Sequence, residues 1–284
     1  MFELGNEQYN PYFVQQVVAM EARSKEVGSP PLFYMFPENG GVNAADAAAL
    51  LAAVPDAVPR ILPDLHVGAG GAVEEARDLF AHPPVPDFNQ GAINAETNAG
   101  THDLKRALDE AADLIEWVNA DAPTASRLYA RTASFCSGTS NNFDSWDQGI
   151  SFFLPNMTWF QPPGYVHIMF KNTWADTTLA ATGAPFPFAA QRSADGKTLV
   201  LRAVNTYGGA WPFNVTLTGM AAAGSDVTVW TLGGAKNKHS DDNTPANPTF
   251  VAPVQTAMPL AAGATAISYA MEANMFVVLQ VPLQ

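Results

Sequence analysis

Apolar residues recur at helical spacing in several stretches of the first half of the chain. From Pro11 to Val27 they fall at Phe13, Val14, Val17, Val18 and Ala22, with Pro11 suited to a first turn and Gly28 just past the end, so a helix is predicted there. Asn43 is placed to cap an Ala-rich helix from Ala44 to Val54, which Pro55 stops. A third helix is predicted from Asp103 to Asn119 behind a Thr101 cap, with Leu104, Leu108, Ala111, Ala112, Ile115 and Val118 on one face. Val73 to Phe80 makes a shorter one. Between them lie short apolar runs that read as buried strands: Phe2 to Leu4, Leu32 to Phe36 before Pro37, Leu65 to Val67, Ala92 to Ala95 and Ser126 to Ser134. Strand and helix in alternation predict a parallel sheet with helices packed outside it.

The pattern changes near residue 185. Thr198 to Val204, Phe213 to Leu217, Val227 to Leu232, Ala266 to Tyr269 and Phe276 to Val281 are β-rich and separated by Gly, Asn, Asp and Pro clusters. Val227, Val229 and Thr231 alternate with Thr228 and Trp230, which predicts a small antiparallel sandwich. Pro185-Phe186-Pro187 marks the junction, giving an α/β domain over residues 1–184 and an all-β domain over 185–284. No internal repeat is present.

Composition narrows the function. Of 284 residues 48% are apolar, enough for a sizeable core, and only 14% are charged. Acidic residues number 27 against 14 basic ones, a formal net charge of −13. Neutralising phosphates needs clustered Lys and Arg, so a nucleic-acid partner is excluded, and so is attachment to an anionic membrane surface. No apolar run approaches the ~18 residues that span a bilayer. Cys136 is the one cysteine, which rules out an internal disulfide and a thiolate zinc site; beside Phe135 it reads as a small buried hydrophobe. No GxGxxG or Walker lysine loop follows a strand, and Gly68 to Gly71 reads as a plain loop. The first seven residues lack the basic and apolar regions of a signal peptide.

Two glutamates stand just after predicted strands. Glu7 follows Phe2-Glu3-Leu4-Gly5-Asn6, and Glu96 follows Ala92-Ile93-Asn94-Ala95. In a parallel barrel, chemistry sits where strands end, and two carboxylates so placed are what glycosidic cleavage requires. The bland reading makes both of them helix N-terminal acids.

Here the residues resemble a known family. Glu3-Leu4-Gly5-Asn6-Glu7 is similar to the W-E-I-G-N-E segment of clan A glycoside hydrolases, whose last Glu is the general acid/base. More particularly, the chain resembles glycoside hydrolase family 51, the α-L-arabinofuranosidases. Asn156-Met-Thr-Trp-Phe-Gln-Pro-Pro-Gly-Tyr-Val-His167 is similar to the segment after the last barrel strand, where a Pro and a Tyr-Val pair begin the closing helix. Ser240-Asp-Asp-Asn-Thr-Pro-Ala-Asn-Pro248 with Val251-Ala-Pro-Val254 resembles the D-N-T-x-x-N-P and V-x-P of the C-terminal sandwich. These segments lie in the family's order and cover nearly the whole chain.

The resemblance implies the C-terminal part of a (β/α)8 TIM barrel, about strands four to eight, followed by an antiparallel β-sandwich. It implies a retaining mechanism with Glu7 as acid/base and Glu96 as nucleophile, although Ala95 and Thr97 depart from the family's usual neighbours of that Glu. Asn6 would contact the sugar 2-hydroxyl. His66, in Asp64-Leu-His66, would line the site, with a core histidine as its other reading. Trp159 and Gln161 would border the sugar subsite, or serve as core residues. Glu3, an even number of steps from Glu7 along a strand, would support it electrostatically or form an ion pair. The substrate implied is an arabinose-containing polysaccharide or oligosaccharide, and the reaction needs no metal or cofactor. Barrel strands one to three are missing from this count, so a fragment is expected, and an oligomer stays open. The sequons Asn156-Met-Thr and Asn214-Val-Thr fit an extracellular or secretory-pathway setting. The alternatives are a related clan A enzyme acting on xylan or β-glucan, and an inactive carbohydrate-binding remnant.

Overall fold

A computed structural model describes residues 2–4, 10–37, 44–64, 101–120 and 150–284. They fall in two compact units, one within Met1–Asn98 and Ala125–Phe135, the other within Ala99–Thr124 and Cys136–Gln284.

The first unit is parallel α/β. Strand β1 (Phe2–Glu3) leads to helix α1 (Phe13–Val27), strand β2 (Tyr34–Pro37), helix α2 (Ala44–Ala53), a 3-10 turn over Pro55–Arg60 and strand β3 (Ile61–Asp64). The strands lie in the order β1-β2-β3, all parallel. Helix α1 ends where predicted, because Gly28 takes the left-handed conformation (φ 65°) that closes a helix at no steric cost. Its buried Phe13 and Val17 pack with Leu50 of α2, Ala57 and Val58 of the 3-10 turn, and Tyr34 and Ile61 of the sheet. Strand β3 begins four residues before the Leu65 to Val67 run predicted for it, which lies outside the described residues. Pro63 inside Ile61-Leu62-Pro63-Asp64 hides this strand from pattern reading, since proline cannot donate to a ladder.

The second unit is built on a six-stranded sheet of order β11-β10-β13-β8-β7-β6 in which every pair is antiparallel. Its strands are β6 (Thr177–Leu179), β7 (Phe188–Arg192), β8 (Thr198–Asn205), β10 (Val227–Gly233), β11 (Val254–Met258) and β13 (Met275–Pro282). Helices α3 (Leu104–Ala120) and α4 (Pro162–Asn172) cover one face, burying Leu108, Ile115, Met169 and Phe170 against Val200, Val204, Phe276 and Val278. A two-stranded ribbon of β9 (Trp211–Thr216) and β12 (Ala266–Met271) covers the other, burying Phe213 and Ile267 against Leu201, Val229, Val277 and Leu279. Burial on both faces explains why β8 shows only weak alternation and why Met275–Leu279 of β13 is a continuous apolar run.

Two features differ from the sequence reading. The cap of α3 is Asp103, whose Oδ1 accepts from the Arg106 N–H at 3.0 Å; the Thr101 hydroxyl only reaches Asp103 itself, at 3.2 Å. Pro185 lies between β6 and β7, which are hydrogen-bonded neighbours, so the sheet begins at Thr177, before residue 185. A tight antiparallel hairpin of β4 (Ser151–Leu154) and β5 (Met157–Phe160) leads into α4. That helix opens on Pro162-Pro163, as the family resemblance implies, with proline in the first turn where an N–H has no helical partner. Gly164 is required there, because a Cβ would collide with the Ile150 carbonyl oxygen.

Candidate functional site

The parallel sheet decides where chemistry can sit in the first unit. Strands running one way end at one edge, so the chain leaves β1 and β3 on the same side, two interstrand spacings or ~10 Å apart. In the register Glu3 pairs with Met35 and Met35 with Leu62, so positions 3 and 62 stand at one height. Asn6, Glu7, His66 and Glu96, the residues expected to act, lie outside the described residues.

An ion pair braces the opposite end of the sheet, where β2 and β3 begin. Glu21 of α1 accepts from both guanidinium nitrogens of Arg60, at 2.9 and 2.8 Å, and from the Tyr34 hydroxyl at 2.7 Å. Arg60 also donates to the Leu32 carbonyl. The Arg60 hydrogen bonds hold the Glu21 carboxyl below the usual carboxylate range against the opposing effect of burial, with Tyr34 adding to them. The same bonds to Glu21 raise Arg60. Burial first, then the bond to Glu21, pushes the Tyr34 phenol up. One strand, one helix and the 3-10 turn are thereby tied together, a link that no local pattern reveals.

Trp159 and Gln161 are in the second unit, 8% and 1% exposed. Trp159 Nε1 donates to the Asn243 carbonyl at 2.9 Å, and Gln161 Nε2 donates to the same oxygen at 2.8 Å. The Asn243 N–H returns a bond to Gln161 Oε1 at 3.0 Å. Asn243 Nδ2 then donates to the carbonyls of Phe160 and Val251, and its Oδ1 accepts from the Val251 N–H at 2.7 Å. The polar atoms of both residues are engaged in fastening the 240–251 loop. Asn243 belongs to the D-N-T segment singled out from the sequence, but its role as the centre of this network was not foreseen. The loop also meets the start of α3: Leu104 and Lys105 donate to the carbonyls of Asp241 and His239, and His102 pairs with Asp242 at 2.9 Å.

A buried polar stripe on α3 was also missed. Arg106 and Glu110 pair at 2.7 Å, and His167 of α4 approaches Glu110 at 3.1 Å, with Asp113 buried one turn on. Their i, i+4 spacing reads in sequence as a solvated face. Among the described residues no group of three or more His, Cys, Asp or Glu is placed to hold a metal ion, and no helix is long and apolar enough to cross a membrane.

Beside β9 a groove of about 720 Å³ opens between that strand and the segment from Leu179 to Phe188. Phe186, Trp211 and Phe213 line it, with Phe186 edge-on to Trp211 at 6.1 Å. No lining residue is charged, so the groove offers no carboxylate pair for glycosidic cleavage.

No family model matches the chain, and no curated protein matches it in sequence. Solved structures do match in fold. An arabinose complex of the α-L-arabinofuranosidase from Thermotoga maritima superposes over 99% of this chain and 65% of its own, with a TM-score of 0.66 and 15% identity. An arabinose-bound GH51 α-L-arabinofuranosidase, MgGH51, matches over 99% of this chain and 45% of its own, at TM-score 0.65 and 14% identity. A GH30 endoxylanase from Clostridium papyrosolvens matches over 99% and 64%, at TM-score 0.55 and 13% identity. The chain therefore spans less than two thirds of the length of each structure whose fold it shares.

Proposed function

We propose that this chain is the glycosidic portion of a retaining α-L-arabinofuranosidase, with Glu7 as acid/base and Glu96 as nucleophile. The reading is supported by the parallel order of β1, β2 and β3. The described ends of β1 and β3 lie on one side of that sheet, and in the sequence Glu7 follows the first and His66 the second. A barrel gathers its reacting side chains from the ends of different strands, which is the role the family resemblance gives these groups. The fold likeness to arabinofuranosidase structures supports the same reading. In it the first unit is part of a (β/α)8 barrel, and the sheet and ribbon of the second, which begin at Thr177, are its β-sandwich.

The chemistry runs in two steps. The Glu96 carboxylate attacks the anomeric carbon as the Glu7 carboxyl gives its proton to the leaving oxygen, so the glycosidic bond breaks and a glycosyl ester forms. Glu7, now ionised, takes a proton from water, and that water breaks the ester and frees Glu96. Asn6 donates a hydrogen bond to the sugar 2-hydroxyl, and His66 borders the ring. Substrates are terminal arabinofuranosyl groups on hemicellulose or pectin side chains, reached in an extracellular or secretory setting.

Hydrolysis of 4-nitrophenyl α-L-arabinofuranoside and of an arabino-oligosaccharide tests this, using the protein, Glu7→Ala and Glu96→Ala. Each substitution is expected to slow oligosaccharide cleavage by about 10²-fold or more. Added azide should restore turnover to Glu7→Ala on the aryl substrate. A folded protein that binds arabino-oligosaccharide but releases none, with both variants unchanged, would show an inactive binding remnant. Faster release from xylan than from arabinan would move the reading toward the endoxylanase side of the clan.

A further inference from the structure

We propose that Asn156 is an N-glycan acceptor when this chain is made in a secretory pathway. Pro155 and Asn156 form the two-residue turn of the β4–β5 hairpin, closed by the pairing of Leu154 with Met157. Pro155, Asn156 and Thr158 are all exposed, whereas Met157 is half-buried and Trp159 buried. Strand alternation therefore puts both recognition residues of the sequon, Asn156 and Thr158, on the outer face and its middle residue on the inner one. Among the described residues the Asn156 amide makes no hydrogen bond, so a glycan there displaces no contact.

The other sequon differs. Asn214 lies inside β9 opposite Ser268 of β12, and its Oδ1 accepts from the Ser268 hydroxyl at 2.7 Å. It also lines the groove beside β9. A glycan on Asn214 would be fixed to the middle of a paired strand, whereas one on Asn156 projects from a hairpin apex. Its first sugars would lie beside Leu154 and Phe160, which expose apolar surface on the same hairpin.

The co-substrate is a polyprenyl-diphosphate-linked oligosaccharide. Asn156 Nδ2 forms a bond to its anomeric carbon, the bond from that carbon to the diphosphate oxygen breaks, and the amide proton is lost as the lipid diphosphate leaves. The test is secretion of residues 1–284 behind a cleavable leader from a glycosylating eukaryotic host, followed by intact mass and peptide mapping after peptide N-glycosidase, which turns a glycosylated Asn into Asp. Conversion at position 156 is expected. Asn156→Gln and Thr158→Ala should each remove that glycan, Thr158→Ser should keep it, and Asn214→Gln should leave it in place. If a variant is not secreted, mapping of the unaltered chain decides. An unmodified Asn156 in secreted protein, or a glycan on Asn214 alone, would overturn the proposal.

Discussion

Half-buried Arg60 in the first unit and buried Arg202 in the second are held in opposite ways. Arg60, in the parallel α/β unit, makes a two-pronged pair with Glu21, and that carboxylate raises it. Arg202, on the central strand β8, has no exposure at all, and among the described residues its hydrogen-bond acceptors are all neutral. Its guanidinium donates to Gln191 Oε1 of β7 and, at 2.6 Å, to the carbonyl of Thr173, and it lies 4.7 Å over the Phe170 ring. Burial brings it down to about 9. What stands in for a counter-ion is the end of α4: Thr173 is its C-cap, where unpaired carbonyls carry the negative end of the helix dipole. A charge pair ties α1 to the parallel sheet, while a cation on a helix end ties α4 to the antiparallel one. The lesson is that a buried arginine implies an acceptor, and that the acceptor need not be an acid.

The comparison can be broken most severely at Arg60. Arg60→Ala leaves Glu21 buried without its partner and should cost about 3–5 kcal/mol, read as a fall in the urea midpoint. Arg60→Met with Glu21→Leu should recover most of that loss, and failure to recover would mean that the pair does more than cancel its own desolvation. In the second unit Asn243→Ala removes three side-chain hydrogen bonds and should cost about 3 kcal/mol, with Trp159 fluorescence reporting the loosened loop. A change below about 1 kcal/mol would show that the loop is held by packing instead.

Arg202→Met should cost less, about 1–2 kcal/mol, because the lost hydrogen bonds are offset by relief of a buried charge. Its pH dependence has a definite sign. The folded value near 9 lies below the unfolded value, so between them the unfolded chain holds more protons. Stability from this group thus rises with pH in that window, and the native chain should gain on Arg202→Met between about pH 8 and pH 10.5. A constant difference across that range would contradict the depressed value. The smallest effect is at the acid end. Glu21 is lowered when folded, so its contribution is present above the unfolded carboxylate value and is lost as pH falls through the folded one. Glu21→Gln should flatten acid denaturation in that window.

What was legible in the sequence follows from the range of the forces involved. Helices α1 and α3 and strands β8, β10 and β13 come within a few residues of their predicted bounds, because each carries a long apolar pattern. Strand β3 is concealed from pattern reading by its proline, and β7, Phe188–Arg192, stands behind Pro185-Phe186-Pro187 with no prediction made for it. Edge strand β11 is mostly exposed and carries little apolar signal. Of the candidate site, Glu7, Glu96, Asn6 and His66 came from motif resemblance, and Trp159 and Gln161 from their neighbourhood in a motif.

The sequence by itself determined the types of the described helices and most of the described strands, and the change from α/β to all-β patterning. Those depend on residues a few positions apart. Tertiary structure alone decided that Glu21 meets Arg60 across 39 positions and that Asn243 serves Trp159 and Gln161 across more than 80. It also decided that the sheet of the second unit is covered on both faces. A buried polar atom needs a partner, but which residue supplies it depends on how distant elements pack, and one-dimensional spacing does not encode that.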